Sequence, residues 1–238
     1  MGADESAPAT HEVSRPSSAY AGRMRFDLVR EKLAAWPSEL PPAPDVLTPI
    51  RLDSPDEWFA GMAIRPRRQA AVLVLLFPDD EGEARVLLTE RLAGLASHPG
   101  EISFPGGSAE ADDPDPAATA LREACEEVGL DAEACGLRVV GRLEGLHIPV
   151  SGFEITPILA LAERRPICRA NPAEVEQILE PPVDAFLPEA LVELEEREVR
   201  GRRVRYGVYP IPGARVWGAT ARILGQLGAL LTLEAPRH

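Results

Sequence analysis

The chain has 238 residues and a formal net charge of −13, with 45% hydrophobic and 5% aromatic residues. That length suits one domain with added segments or two small domains, and the apolar content suits a folded globular core. The acidic balance argues against a nucleic-acid partner, because phosphate contacts need clustered cations.

In chain order, residues 1–21 are rich in Ala, Ser, Pro and Glu and read as a disordered tail. Residues 22–68 read as an N-terminal helix and a Pro-rich linker. Phe26, Leu28, Val29, Leu33 and Trp36 recur at near-helical spacing, and Pro37, Pro41, Pro42 and Pro44 then force extended backbone. From residue 69 to residue 238 strands and helices mix. Ala70–Phe77 is a continuous apolar run that reads as a buried strand, Asp79–Gly82 as a turn, and Ala84–Arg91 as the next strand. A helix follows over Pro116–Val128, with Asp115 as N-cap, Pro116 at the first helical position and Gly129 at the left-handed C-terminal position.

Leu137–Leu143 and Phe153–Leu161 read as further strands. Ala173–Leu179 reads as helical up to Pro181-Pro182, and Pro188–Arg197 as a polar helix. Val204–Ile211 alternates like a strand, and Ala219–Leu233 carries Ile223, Leu224, Leu227, Leu230 and Leu231 at helical spacing. Strands with helices on both flanks predict an α/β/α sandwich with a mixed sheet. The three cysteines, Cys125, Cys135 and Cys168, have no metal-ligand spacing. The N-terminus lacks the apolar core of a signal peptide, and no run is long enough to span a membrane. A cytoplasmic protein without a membrane partner is expected. The oligomeric state stays open, a homodimer included.

The most informative stretch runs from Gly106 to Leu130. Its helix places Glu123, Glu126 and Glu127 at i, i+3 and i+4, on one face. Three carboxylates that close repel one another unless a cation sits among them, and a hard divalent cation is the simplest. Leu121, Ala124, Cys125 and Val128 fall on the opposite, apolar face. The expectation is therefore a helix that packs Cys125 into the core and turns its carboxylates away from the sheet. Gly106 and Gly107 would let backbone approach a ligand closely. A glycine loop beside carboxylates that hold a metal suits hydrolysis of a phosphoric anhydride.

The order Arg122-Glu123-Ala124-Cys125-Glu126-Glu127-Val128-Gly129-Leu130 resembles the Nudix box. The first half departs from the general pattern, with Asp113 at the early acidic position and one extra residue before Arg122. Upstream, Leu87–Arg91 followed by Ser97–Gly107 resembles the second motif of the coenzyme A pyrophosphatase branch, which tolerates both departures. His147–Pro157, Asn171–Val175 and Val216–Arg222 resemble later landmarks of that branch, so the likeness covers residues 69–231.

The resemblance implies a Nudix-type α/β/α sandwich over residues 69–238. It also implies Mg²⁺ or Mn²⁺ as cofactor and cleavage of coenzyme A or its derivatives to 3′,5′-ADP and 4′-phosphopantetheine. Glu126 and Glu127 would be metal ligands, and Glu123 a third ligand or the residue that assists water. Gly107 would approach the metal, and Arg122 would orient a box glutamate through an ion pair. Arg91, His98 and Gly106 would lie near the substrate. The general base stays open between Glu123 and Glu127, with Glu174 as an outside candidate. Two alternatives stay open as well: hydrolysis of another nucleoside diphosphate derivative such as ADP-ribose or NADH, and a non-catalytic nucleotide-binding regulatory module.

Overall fold

The structure is a computed structural model that describes residues 23–53, 67–92, 100–148, 151–199 and 202–233. The expected disordered tail, residues 1–21, and the candidate His98 lie outside the described residues. In chain order the elements are α1 (Phe26–Ala34), β1 (Ile50–Arg51), β2 (Arg68–Pro78), β3 (Ala84–Val86), β4 (Leu88–Arg91), β5 (Ile102–Ser103), β6 (Gly106–Ser108), α2 (Pro116–Val128) and α3 (Ala132–Cys135). They continue with β7 (Leu137–Arg142), β8 (Leu146–Ile148), β9 (Phe153–Ala162), β10 (Val175–Leu179), β11 (Glu193–Val199), β12 (Arg202–Ile211), β13 (Ala214–Trp217) and α4 (Gly218–Thr232).

The central sheet has the order β3-β2-β9-β7, with β6 added to β2 and β8 to β9. It is mixed. β2 and β9 run parallel from Arg68↔Phe153 to Leu76↔Leu161, whereas the other pairs are antiparallel. Both central strands are apolar on both faces because helices cover both. On one face Leu73, Leu75, Phe77, Ile158 and Ala160 meet Ala120, Ala124 and Val128 of α2. On the other, Val74, Leu76, Leu159 and Leu161 share a core with Phe26, Val29 and Leu33 of α1 and with Ile223, Leu224 and Leu227 of α4. The expected α/β/α sandwich is the observed architecture. Among the described residues no helix is long and apolar enough to cross a membrane.

Helix α2 has the predicted bounds and ends. The Asp115 carboxylate accepts from the Ala118 N–H, and Gly129 turns left-handed at φ 62°. Three other expectations need correction. The single strand Ala84–Arg91 is two, because β3 pairs with β2 while β4 leaves that edge to pair with β10 and β5. The rest of that β2 edge is taken by β6, which pairs Gly106 with Val72 and Ser108 with Ala70.

Residues 175–179 are strand β10 instead of helix, since Val175 and Ile178 gain burial beside β4. Residues 193–199 likewise form strand β11, which pairs with β12. Its glutamates meet arginines across the sheet, Glu196 with Arg203 and Arg205 and Glu193 with Arg215. A polar composition that suits a helix surface suits these cross-strand pairs equally well. Asp115→Ala should lower the unfolding free energy by about 1 kcal/mol in a denaturant titration, the usual worth of an N-cap. No measurable change would mean that the α2 end is held by packing alone.

Candidate active site

Four segments meet at the C-terminal half of α2: the end of β4, the glycine strand β6, the loop carrying Asp113, and the 171–175 turn. Packing of Ala124 and Val128 against the sheet fixes the rotation of the helix. That rotation carries Glu127 inward. Its residue is only 3% exposed, and its carboxylate accepts the Gly106 N–H at 3.1 Å. The Arg91 guanidinium stands 3.6 Å from the other oxygen.

The expectation that all three carboxylates turn away from the sheet is thus corrected for Glu127. The expected burial of Cys125 is corrected too, for that thiol is exposed. The register explains both. The apolar stripe centres on Ala120, Ala124 and Val128, so position 127 falls at its buried margin and position 125 outside it.

Glu123 lies against Gly107 so closely that an added Cβ there would sit 2.5 Å from its carboxylate. A larger residue at that position would push the Glu123 carboxylate aside. Arg122 gathers the surrounding charge. It donates to both oxygens of Asp113 at 3.1 Å, to the Ser108 carbonyl at 3.0 Å, to Glu123 at 3.1 Å and to Glu126 at 3.3 Å. Glu126 is the outermost of the three, its side chain 57% exposed.

Asp113, read in the sequence only as a departure from the box, is the anchor of this arginine. The same guanidinium, with the Glu110 N–H behind it, holds the Asp113 carboxyl well below the usual carboxylate range. The 171–175 turn closes the site. The Asn171 N–H donates to the Glu127 carbonyl at 2.8 Å and its amide to the Glu126 carbonyl at 3.4 Å. Asn171 drew notice in the sequence only as part of a landmark segment.

Burial pushes the Glu127 carboxyl up to about 7. The Glu123 and Glu174 charges push the same way, and the Gly106 N–H and Arg91 oppose them. Glu123 is also raised, first by burial and then by Glu126 and Glu174, against Arg122. Glu174 therefore belongs electrostatically with the box carboxylates. Among the described residues, no three His, Cys, Asp or Glu side chains are drawn together closely enough to hold an ion as they stand. The chemistry of the donors nevertheless suits one. They are all carboxylate oxygens, the donors that hard divalent cations prefer, and their mutual repulsion leaves negative charge for a cation to offset.

A family profile for the NUDIX domain matches residues 67–200. The chain is 39% identical over 183 residues to Nudix hydrolase 15, mitochondrial, of Arabidopsis thaliana, covering 72% of this chain and 61% of that protein. It therefore spans about three-fifths of the length of that plant relative. It is 36% identical to the uncharacterized Nudix hydrolase NudL of Pectobacterium atrosepticum, covering 77% of this chain and 91% of that protein. A crystal structure of a Nudix hydrolase from M. smegmatis, RenU, aligns with TM-score 0.42 and 27% identity over 50% of this chain and 73% of that one. The chain belongs to the Nudix family. Its named relatives are hydrolases.

The buried carboxylate has a consequence for stability. Folded Glu127 keeps its proton to about pH 7, whereas the unfolded chain releases it near the ordinary 4.5. A raised carboxyl pKa means that stability falls as pH rises through that window, and above it the full penalty is present. In metal-free buffer at about pH 8, Glu127→Gln should be more stable than the parent by about 1–3 kcal/mol, with the gain vanishing near pH 4. Denaturant titrations at the two pH values measure it. Equal stabilities at the higher pH would show that the carboxylate carries no such penalty.

Proposed function

We propose that the protein is a metal-dependent pyrophosphohydrolase that cleaves the diphosphate bond of coenzyme A or its derivatives, releasing 3′,5′-ADP and 4′-phosphopantetheine. The observation that carries the hydrolytic reading is the carboxylate group of α2. Glu127 is buried on the Gly106 N–H beside Arg91, with Glu123 against Gly107. Glu123, Glu126 and Glu127 would hold Mg²⁺ or Mn²⁺, which when bound neutralises diphosphate charge and acidifies water.

Each remaining part of the reaction falls to the chain's own residues. Arg91 offers a half-buried guanidinium for a phosphoryl oxygen. Gly106 and Gly107 let that oxygen come close to backbone. Arg122 keeps Glu123 and Glu126 in position through Asp113. A water oxygen attacks phosphorus and the bridging P–O bond breaks. The water's proton passes to one of Glu123, Glu127 and Glu174, whose charges act on one another.

Family membership suits ADP-ribose or NADH as well as coenzyme A. The coenzyme A assignment rests on the resemblance of Leu87–Arg91 and Ser97–Gly107 to that branch. The test is product identification by chromatography and mass after incubation with coenzyme A, ADP-ribose and NADH, with Mg²⁺ or Mn²⁺. 3′,5′-ADP and 4′-phosphopantetheine should appear, and Glu127→Gln should form them at least about 100-fold more slowly. Cleavage of ADP-ribose or NADH alone would overturn the coenzyme A assignment and keep the hydrolase. An undiminished Glu127→Gln rate would overturn the role of that carboxylate.

A further inference from the structure

The central sheet is covered unevenly on the face opposite α2. Toward their C-terminal ends β2 and β9 are fully buried there through Val74, Leu76, Leu159 and Leu161, under α1 and α4. At the other end Val72, Phe153 and Ile155 are only half-buried, and Arg68 is exposed. Parallel pairing sets Arg68 beside Phe153, and its guanidinium lies over that ring, 4.5 Å from the centroid. The same guanidinium donates to the Ser108 hydroxyl at 3.4 Å. Among the described residues no carboxylate stands within ion-pair distance of Arg68. Its neighbour Arg67 differs, being paired with Glu154. In a chain of net charge −13, Arg68 is thus a cation fixed in place by a ring and a hydroxyl, with no anion of the described residues against it.

We propose that Arg68 is a specificity residue that receives a phosphate monoester carried by the substrate outside its scissile diphosphate. This rests on the coenzyme A-type reading above. Ser108 is one residue from Gly107, about 3.3 Å along the strand, and its carbonyl accepts from Arg122. The Arg68 site and the carboxylate site therefore share one short strand. Among the described residues of the central sheet β6 pairs with β2 alone, so its outer edge, around which a ligand would pass from the carboxylate face to the Arg68 face, takes no further strand. A nucleoside can lie on the apolar floor of Val72, Phe153 and Ile155 with its diphosphate at Gly106 and Gly107. Its second phosphate then meets the planar fork of Arg68, which matches a dianionic phosphate in two parallel hydrogen bonds. Phe153 behind the guanidinium restricts its rotation, so less side-chain freedom is lost on binding.

The experiment is equilibrium calorimetry with adenosine 3′,5′-bisphosphate and with AMP, on the parent and on Arg68→Gln. Arg68 is exposed, so the substitution leaves the core untouched. The parent should prefer the bisphosphate by roughly 10-fold or more, the scale of one charge-assisted bidentate contact. Arg68→Gln should lose most of that preference with AMP affinity held. An unchanged preference in the variant, or none in the parent, overturns the proposal. Because binding needs no turnover, the two readings separate. A protein that prefers the bisphosphate through Arg68 yet leaves coenzyme A intact keeps the subsite and loses the substrate assignment. Coenzyme A cleavage with the same preference in both proteins loses the subsite alone.

Discussion

The constraint on which the site depends is the burial of one carboxylate. Glu127 sits at the margin where α2 meets the sheet, and a backbone N–H and a guanidinium 3.6 Å away only partly offset its loss of water. Its position follows from packing that has nothing to do with chemistry. Ala120, Ala124 and Val128 are small enough to bring the helix close to Leu73 and Leu75, and the residue before Val128 then turns inward. A charged group held in this way is costly to the folded protein. Such a cost is common where a fold keeps a ligand site ready.

The acidic chain handles its charge locally. Arg122 satisfies Asp113, Glu123, Glu126 and the Ser108 carbonyl at once, so a single cation orients most of the outer site. Much of that energy lies in geometry. Asp113 engages two guanidinium nitrogens, which fixes the plane of the group and therefore the direction of its third nitrogen toward Glu123. Glu127 is served by Arg91 from strand β4, so the inner and outer carboxylates have separate counter-charges.

The sheet supplies the opening. β2 has β9 along one side, but the other side is shared by β6 at Ala70–Val72 and by β3 at Leu76–Pro78. Where they part, β4 leaves toward β5 and β10 and brings Arg91 to α2. Glycine is needed at position 106 because the backbone there is crowded. At Gly106 an added Cβ would meet the Val72 backbone at 2.6 Å, and its φ of 155° disfavours side chains as well. Thr220 of α4 donates to the Ile102 carbonyl at 2.9 Å and ties β5 to α4.

The bounds and caps of helix α2 were legible from the sequence, because caps and the 3.6-residue period are local properties. The apolar runs of β2 and β9 were legible for a similar reason, since strands buried on both faces leave a continuous signal. The spacing of Glu123, Glu126 and Glu127 likewise placed them together on one helix in the sequence.

What the sequence could not decide is whatever depends on a partner far along the chain. Residues 175–179 and 193–199 became strands because β4 and β12 offered edges, and the break after Val86 appeared because two sheets compete for that segment. Cys125 and Glu127 exchanged their expected environments because neither position lies at the centre of the apolar stripe, and only contact with the sheet fixes the helix rotation to within one residue. Asp113 as the anchor of Arg122, and Arg68 stacked on Phe153, are meetings of segments brought together by folding. Periodicity and caps determine elements; long-range pairing and packing determine which side chains meet.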